Sequence, residues 1–239
     1  DRPALRFVAR AVLSVVCEDL SMAGVREESR ARTTAAILAA AREEIAAHGG
    51  GGLSMRAVAR EVGMVSSAVY RYFPTREALL TAMILESYES LAAALESVRA
   101  RRPDRRWIAL GEAMRGWAVE RPHEFQLIYG TPVPGYVAPP ETVPAAAAVA
   151  RPFLAVAGGV EVAPFAAPRV ARQMEVLTEV AEGVTREGGG AVLAELAALI
   201  GAVTLELGGH LVGSAEPADP FFRALLQRQI DTLGLAGAG

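Results

Sequence analysis

Cysteine and histidine are scarce in this 239-residue sequence, and lysine is absent. Cys17 is the only cysteine, so no disulfide framework can form, and we expect a reducing, cytoplasmic environment. The three histidines, His48, His123 and His210, stand far apart and lack the paired spacing of a metal site. We therefore expect neither a metal ion nor another cofactor.

Patterns typical of strands and of catalytic sites are also missing. No convincing run alternates polar and apolar residues, so we predict an all-helical chain. Aromatic residues make up 6% of the sequence and hydrophobic residues 52%, so alanine, valine and leucine must form most of the core. No glycine-rich phosphate loop follows a strand and no serine occupies a nucleophile elbow, which leaves an all-helical enzyme as the least favoured alternative.

The hydrophobic run near the N-terminus is too short to span a membrane. The apolar stretch at residues 5–17 is interrupted by Arg6 and Arg10 and is too brief to cross a bilayer. We expect no membrane partner for this chain.

The stretch from residue 53 to residue 76 has the pattern of a helix-turn-helix. Ser54 can cap a short first helix through its side-chain oxygen, and Gly63 suits the left-handed position that follows. Pro74 ends the second helix, because the residue before proline avoids the α region. Thr75 can then cap a further helix.

The second of these helices combines a narrow apolar seam with polar and aromatic faces. Val69 and Phe73 are four residues apart and should pack inward, while Ser66 or Ser67 can cap the helix. The serines let the N-terminal end approach base edges, and the tyrosine hydroxyls and Arg71 can reach phosphates or bases. A solvent-facing helix has the same spacing, so a protein-interaction module with a degenerate helix-turn-helix is the second alternative.

The segment from Thr34 to about Leu80 resembles the N-terminal domain of TetR-family transcription regulators. The similarity lies in TAAILAAAREEIAAHGG, LSMRAVAREVGM and VSSAVYRYFPTREALL, and it is strongest at YRYFPTREAL. Tyr72 stands where many members have histidine, which leaves the operator sequence open. The resemblance implies a set of DNA-binding residues: Ser54, Arg56, Ser66, Ser67, Ala68, Tyr70, Arg71, Tyr72 and Arg76.

The segments WAVERPHEFQLIYGTPVPGY and TLELGGHLVG resemble, more loosely, the C-terminal domain of one TetR subgroup, the WHG type. This implies a ligand-binding helical bundle that forms a two-fold dimer behind a three-helix DNA-binding domain. We expect an extension at residues 1–30, disordered or loosely helical, a DNA-binding domain at 31–76, and a ligand-binding and dimerisation domain at 77–235. The expected function is that of a repressor released from a near-palindromic double-stranded DNA operator by a small lipophilic effector.

Within the second domain we predict helices at about 75–101, 168–187 and 191–213, the last two separated by Gly188–Gly190. Apolar residues of the last helix have spacings that suit both a core and a partner helix. Those residues are Leu193, Leu196, Leu199, Ile200, Val203, Leu207 and Leu211.

Aromatic and methionine side chains with few polar groups suit a flat lipophilic ligand, although each could equally be a core residue. The candidate ligand-binding residues are Tyr88, Met114, Trp117, Phe125, Ile128, Tyr129, Met174 and Leu177. Glu206 lies in an apolar helix, where a carboxylate must be paired or neutralised, either at the dimer interface or at the pocket.

The net charge of −3 is unusual for a DNA-binding protein. Residues 31–80 nevertheless carry six arginines and four glutamates, whereas residues 81–239 carry 13 arginines and 18 acidic residues. The acidic excess therefore lies outside the predicted helix-turn-helix, as a DNA-binding role requires.

Overall fold

The computed structural model describes residues 3–158, 160–163 and 168–236, and all regular structure in these ranges is helical. This confirms the all-helical prediction. The chain divides into two compact units, Asp1–Leu79 and Leu80–Gly239. The boundary falls within a helix, three residues after the one placed between residues 76 and 77 on sequence grounds.

The first unit is built on one long helix and two short ones. They are α1 (Pro3–His48), α2 (Met55–Glu61) and α3 (Ser66–Val69), with a 3-10 turn at Gly50–Gly52. The backbone is thus helical from Pro3 onward, through most of the segment expected to be an extension. Ile37, Ala41 and Ile45 recur every four residues on α1 and are buried, which gives this helix the stripe that packs on α2.

The second unit begins within α4 (Arg76–Glu96), which ends five residues earlier than predicted. The hydroxyl of Ser97 donates to the carbonyl of Ala94 at 2.7 Å, and Arg99 Nη1 donates to the carbonyl of Glu96 at 2.7 Å. These side chains satisfy carbonyls of the last turn, so the helix can stop there. The elements that follow are α5 (Pro103–Glu120), α6 (Pro122–Tyr129) and α7 (Thr142–Leu154).

The C-terminal part of the chain differs most from the sequence prediction. It contains α8 (Pro168–Gln173), a 3-10 turn (Met174–Val176), α9 (Leu177–Val180), α10 (Arg186–Leu207) and α11 (Ala218–Leu233). The predicted single helix at 168–187 is wrong, as is the predicted extension of α10 to residue 213. Gly209 and Gly213 both have positive φ in the turn that follows α10, so the chain leaves the helical conformation there.

The glycine run at Gly188–Gly190 does not break a helix but lies in the first turn of α10. The hydroxyl oxygen of Thr185 caps this turn by accepting from the backbone N–H of Gly188 at 3.0 Å. A Cβ on Gly189 would lie 3.3 Å from side-chain carbons of Leu177 and Val184. Glycine therefore allows close packing here and does not interrupt the helix.

The core of the second unit is centred on α5. Its buried side chains Trp107, Leu110 and Met114 belong to one hydrophobic cluster with residues of α7, α10 and α11. The rings of Trp107 and Phe153 meet edge to face, with centroids 5.4 Å apart. Met114 and Trp117, two of the predicted effector residues, lie on α5 within this cluster.

Two helices in the described ranges, α4 and α10, have the length and composition of a membrane span, with mean hydropathies of 1.3 and 1.8. Core helices of proteins without a membrane pass the same test. Leu91 and Leu95 of α4 and Leu196 and Leu199 of α10 are buried in the hydrophobic cluster. Of the two apolar windows, 44% in α4 and 33% in α10 is buried within the fold.

Candidate nucleic-acid interface

The first helix of the helix-turn-helix is fixed by a side-chain cap and a buried face. The Ser54 hydroxyl oxygen accepts from the backbone N–H of Ala57 at 3.3 Å, as its position predicts. The side chains of Met55, Val58 and Ala59 are buried, and through them α2 packs against the rest of the first unit. Arg56 is left exposed next to the capped end of the helix.

The turn after α2 depends on Gly63, whose φ of +66° is in the left-handed region that favours glycine. The N–H of Gly63 donates to the carbonyl of Arg60 at 3.1 Å, and the N–H of Met64 donates to that of Ala59 at 2.8 Å. These bonds close the end of α2 and redirect the chain into α3.

The second helix of the helix-turn-helix, which the sequence predicts to be the recognition helix, begins with a regular turn, α3, and continues as hydrogen-bonded turns to Phe73. Val65 occupies its N-cap without a side-chain hydrogen bond, so neither Ser66 nor Ser67 caps it as predicted. The N–H of Tyr72 donates to the carbonyl of Val69 at 2.9 Å, and that of Phe73 donates to the same carbonyl at 3.0 Å. The helical path therefore extends over all the predicted DNA-binding positions of this segment.

The inner and outer faces of the recognition helix are clearly separated. Val69 has no exposed surface and Phe73 is 8% exposed, which confirms the predicted apolar seam. Ser67, Tyr70 and Arg71 are exposed, Tyr70 by 46%. The other predicted residues of this helix, Ser66, Ala68 and Tyr72, are half-buried on the flanks of that exposed face.

The side chain of Arg76 lies against the segment that leads into α2. Its Nη2 donates to the carbonyls of Gly50 at 2.7 Å and Gly51 at 3.0 Å, and its Nε donates to that of Leu53 at 3.1 Å. Arg76 thereby ties the start of α4 to the entry of the helix-turn-helix. These bonds engage Nε and Nη2, while Nη1 lies 3.9 Å from Glu77 Oε1, and the phosphate contact of Arg76 stays a prediction.

The predicted effector residues of α4, α5 and α6 are brought together in the second unit. Met114, Trp117 and Phe125 are buried, and Trp117 Nε1 donates to the hydroxyl of Ser90 at 3.0 Å. Tyr88, Ile128 and Tyr129 are half-buried against the same cluster. Met174 and Leu177 are half-buried near α9, and Leu177 packs on the cluster as well.

Three aromatic rings of this assembly lie close together. The Tyr129 ring centroid lies 5.2 Å from that of Phe125 and 6.2 Å from that of Tyr88. Burial raises the pKa of Tyr129 well above its ordinary range, and the neighbouring Tyr88 adds to the effect. Burial also raises the pKa of Tyr88, with a smaller contribution from Tyr136. These phenols are therefore kept as neutral hydroxyl groups.

Comparison with known proteins agrees with both units. The family model described as "Bacterial regulatory proteins, tetR family" matches residues 37–83. The model described as "Tetracyclin repressor-like, C-terminal domain" matches residues 107–229, which is more than half of the chain. The chain belongs to the TetR family.

Individual relatives of this TetR-family chain include HTH-type transcriptional regulators of Mycobacterium bovis and Mycobacterium tuberculosis. Each is 42% identical over 143 residues, which is 57% of this chain and 61% of the relative, so the chain spans less than two thirds of their length. The crystal structure of SCO4313, described as a candidate regulatory protein, has a TM-score of 0.71 and 29% identity over 86% of this chain and 98% of that one. A protein of unknown function from Rhodococcus sp. RHA1 has a TM-score of 0.62 and 25% identity, with 84% and 94% covered. The names of the mycobacterial relatives describe regulators rather than enzymes.

This TetR-family chain also shows a charged cluster that sequence reasoning did not resolve. Glu206 accepts two hydrogen bonds from Arg115, from Nε and Nη2, both at 2.7 Å. Arg115 Nη1 donates to Asp219 at 3.0 Å, and its guanidinium carbon lies 5.0 Å from the Phe222 ring centroid. Glu206 is thus paired within the chain, and the predicted alternatives of interface and pocket omitted this partner. Arg115 lies on a different helix from Glu206, and the sequence does not show which helices pack together. Sequence reasoning could therefore not have identified Arg115 as the partner of Glu206.

Proposed function

We propose that this TetR-family chain binds duplex DNA through its helix-turn-helix and regulates transcription in the cytoplasm. The observation that carries the proposal is the exposed face formed by Ser67, Tyr70 and Arg71, held outward because Val69 and Phe73 are buried on the opposite side. Hydroxyl and guanidinium groups on a short helix can contact phosphates and base edges in the major groove. Ser54 and Arg56 supply further polar groups at the start of α2.

A homodimer is proposed through the outer face of α10. Leu193, Ala197, Gly201 and Leu205 follow one another at intervals of four residues, and three of them are exposed. The opposite face of the helix supplies Leu196, Leu199 and Val203 to the core, so α10 is apolar on both sides. A second apolar face of this kind suits a partner helix of a second copy. A two-fold dimer would recognise a near-palindromic operator.

Regulation by a small lipophilic effector is proposed at the aromatic assembly of the second unit. The support is the convergence of Tyr88, Phe125 and Tyr129 on Trp117 and Met114, with neutral hydroxyl groups as the polar contacts. In the proposed mechanism the DNA-bound dimer represses, and the effector releases it by shifting α4. The effector can do so only if it binds the released form more tightly than the DNA-bound form.

The DNA-binding proposal is tested by fluorescence anisotropy of the purified chain. The intergenic duplex beside its own gene is compared with a scrambled duplex at several salt concentrations. We expect tighter, salt-dependent binding to the native duplex, and a loss of about tenfold or more for Arg71→Ala. Arg151→Ala, an exposed arginine of α7, is the matched charge control. Equal and weak binding to both duplexes would instead favour the interaction-module alternative.

Effector control is tested with the same complex. An uncharged aromatic probe, N-phenylnaphthylamine, is titrated into the protein–duplex mixture while anisotropy is followed. Release of the duplex by the wild type, and weaker release from Tyr129→Ala, would support the assignment. A probe that binds the protein but leaves the duplex bound would contradict effector control at this assembly.

A further inference from the structure

The side of α1 that carries the buried apolar stripe carries arginines farther toward the N-terminal end of the helix. Ile37, Ala41 and Ile45 form the stripe, and two turns before Ile37 the same side of the helix carries Arg30. At about 100° per residue, Arg30 lies within about 20° of Ile37 around the helix axis. Arg26, four residues earlier, continues the stripe. The face that holds α1 to the helix-turn-helix is therefore apolar at one end and cationic at the other.

The cationic end meets the recognition helix. The guanidinium carbon of Arg30 lies 5.3 Å from the centroid of the Tyr72 ring, which is within the range of a cation–π contact. Tyr72 follows directly after the exposed Arg71, so this contact places a second guanidinium group at the predicted DNA-binding face. Both Arg30 and Arg71 are exposed.

The contact leaves the hydrogen-bonding capacity of Arg30 available. An arginine stacked on an aromatic face keeps its in-plane N–H donors, which match the geometry of phosphate oxygens. Glu27 and Glu28 stand nearby in sequence, yet within the described part of the chain neither carboxylate forms an ion pair with Arg30. The ring of Tyr72 also restricts the long side chain, which reduces the entropy lost when it binds.

We infer that Arg30, held on Tyr72, contacts a phosphate of the DNA backbone and extends the interface from the recognition helix onto α1. Arg30 is not among the residues predicted from the sequence, and this inference rests on the proposed DNA-binding function. Because phosphate contacts carry no sequence information, the contribution of Arg30 should be the same on specific and scrambled duplexes.

The test compares Arg30→Ala with Arg32→Ala by anisotropy on the native and scrambled duplexes between 50 and 300 mM salt. Arg32 is an exposed arginine of the same helix, about 200° around its axis from Arg30, so it controls for the loss of one charge. We expect Arg30→Ala to weaken both duplexes about tenfold near 0.1 M salt, and to reduce the salt slope by about one per protomer. Arg32→Ala should leave both quantities close to those of the wild type.

Two further variants separate a phosphate contact from a merely structural role. Arg30→Lys keeps the charge but stacks less well, and should recover most of the salt slope with part of the affinity. Tyr72→Phe keeps the ring but removes a hydroxyl of the predicted DNA-binding set, so Arg30→Ala is also measured in the Tyr72→Phe background, where it should cause the same loss of affinity and of salt slope as in the wild type. Circular dichroism and thermal melting check that each variant is folded.

The outcomes distinguish this inference from the proposed function. If the wild type shows no salt-dependent binding to either duplex, the DNA-binding proposal itself fails. If the wild type binds but Arg30→Ala behaves like Arg32→Ala, the inference is overturned while the proposed function stands. A loss of affinity with an unchanged salt slope would also overturn it, because Arg30 would then act only by positioning Tyr72.

Discussion

At the residue scale, the second unit contains one buried polar side chain that joins three helices. Gln229 is 1% exposed, and its Oε1 accepts from Trp107 Nε1 at 3.0 Å while its Nε2 donates to the carbonyl of Glu195 at 2.7 Å. α5, α10 and α11 are thus connected through a single amide. A buried polar group of this kind stabilises a fold only while its partners are satisfied.

We predict that Gln229→Leu destabilises the second unit by about 1–3 kcal/mol, because the indole N–H of Trp107 is left buried without an acceptor. Urea unfolding followed by tryptophan fluorescence measures the change. Gln227→Leu is the control, since Gln227 is exposed on the same helix and bonds only Asp231 at 3.2 Å. Equal stability of the two variants would show that Gln229 does not hold the helices together.

A second residue-scale prediction concerns alkaline pH. Burial raises the folded-state pKa of Tyr129 above the ordinary value of about 10, so the unfolded chain releases this proton first. The stabilisation is fully present below pH 10 and is lost as the pH rises beyond it. Because the chain has no lysine, no lysine side chain titrates in this window.

Unfolding free energies measured by urea between pH 8 and pH 11 should fall more steeply for the wild type than for Tyr129→Phe. Tyr70→Phe, which removes a phenol from the exposed face of the recognition helix, serves as the control and should follow the wild type. Parallel curves for wild type and Tyr129→Phe would exclude a buried neutral phenol at this position.

At the scale of elements, Arg115 is the contact that joins the end of α10 to the start of α11. It donates to Glu206 through two bonds and to Asp219 through one, and the Arg115 and Glu206 side chains are 19% and 18% exposed. The pKa of Asp219 is held below its ordinary range, chiefly by its hydrogen bond to Arg115. Arg115 therefore serves two carboxylates on two helices.

We expect Arg115→Met to lower the unfolding free energy by about 2 kcal/mol, since Glu206 loses both charge-assisted hydrogen bonds in a partly buried position. Thermal melting of Arg115→Met beside Glu206→Gln and Asp219→Asn separates the two arms of the cluster. Asp219→Asn should have little effect, because Asp219 is largely exposed. A melting temperature of Arg115→Met equal to that of the wild type would show that the cluster contributes no net stability.

Sequence reasoning succeeded where an element depends on residues within one or two turns. The cap by Ser54, the positive φ of Gly63 and the buried pair Val69 and Phe73 all follow from local spacing, and all are present in the structure. The family resemblance added the identity of the exposed face. These features are local, so a single sequence contains them.

The errors occurred where an element depends on distant residues. Glycines at 188–190 were taken as a helix break, but they lie in the first turn of α10, where Leu177 and Val184 pack closely on Gly189. The bonds of Arg76 to carbonyls more than twenty residues earlier in the chain could likewise not be predicted from local spacing, and its DNA contact stays a prediction. Arg30 was overlooked because its contact with Tyr72 spans 42 positions. A sequence pattern can show that a residue is unusual without showing its partner.

At the scale of the whole molecule, the proposed function requires two copies of the chain. Residues 81–239 carry a net negative charge and residues 31–80 a net positive charge. This difference in charge favours DNA contact through the first unit alone. One recognition helix of this size supplies few base contacts, so a near-palindromic site read by two copies would multiply both affinity and specificity. The outer face of α10 is the surface on which this requirement can be tested.

We predict that Ala197→Arg converts a dimer into a folded monomer. Two-fold symmetry would bring two unpaired guanidinium groups into an apolar interface beside Leu193, Gly201 and Leu205. The desolvation free energy of these charges would exceed the free energy gained by packing the two helices together. Light scattering coupled to size exclusion should give twice the 25.1 kDa chain mass for the wild type and a single chain mass for the variant. Ala93→Arg, at an exposed alanine of α4, is the matched control and should stay dimeric. A dimeric Ala197→Arg would show that the interface does not lie on this face of α10, and a monomeric wild type would contradict the dimer itself.

The Ala197→Arg monomer should also bind a palindromic duplex at least about 100-fold more weakly than the wild-type dimer, since the second half-site is no longer engaged within one complex.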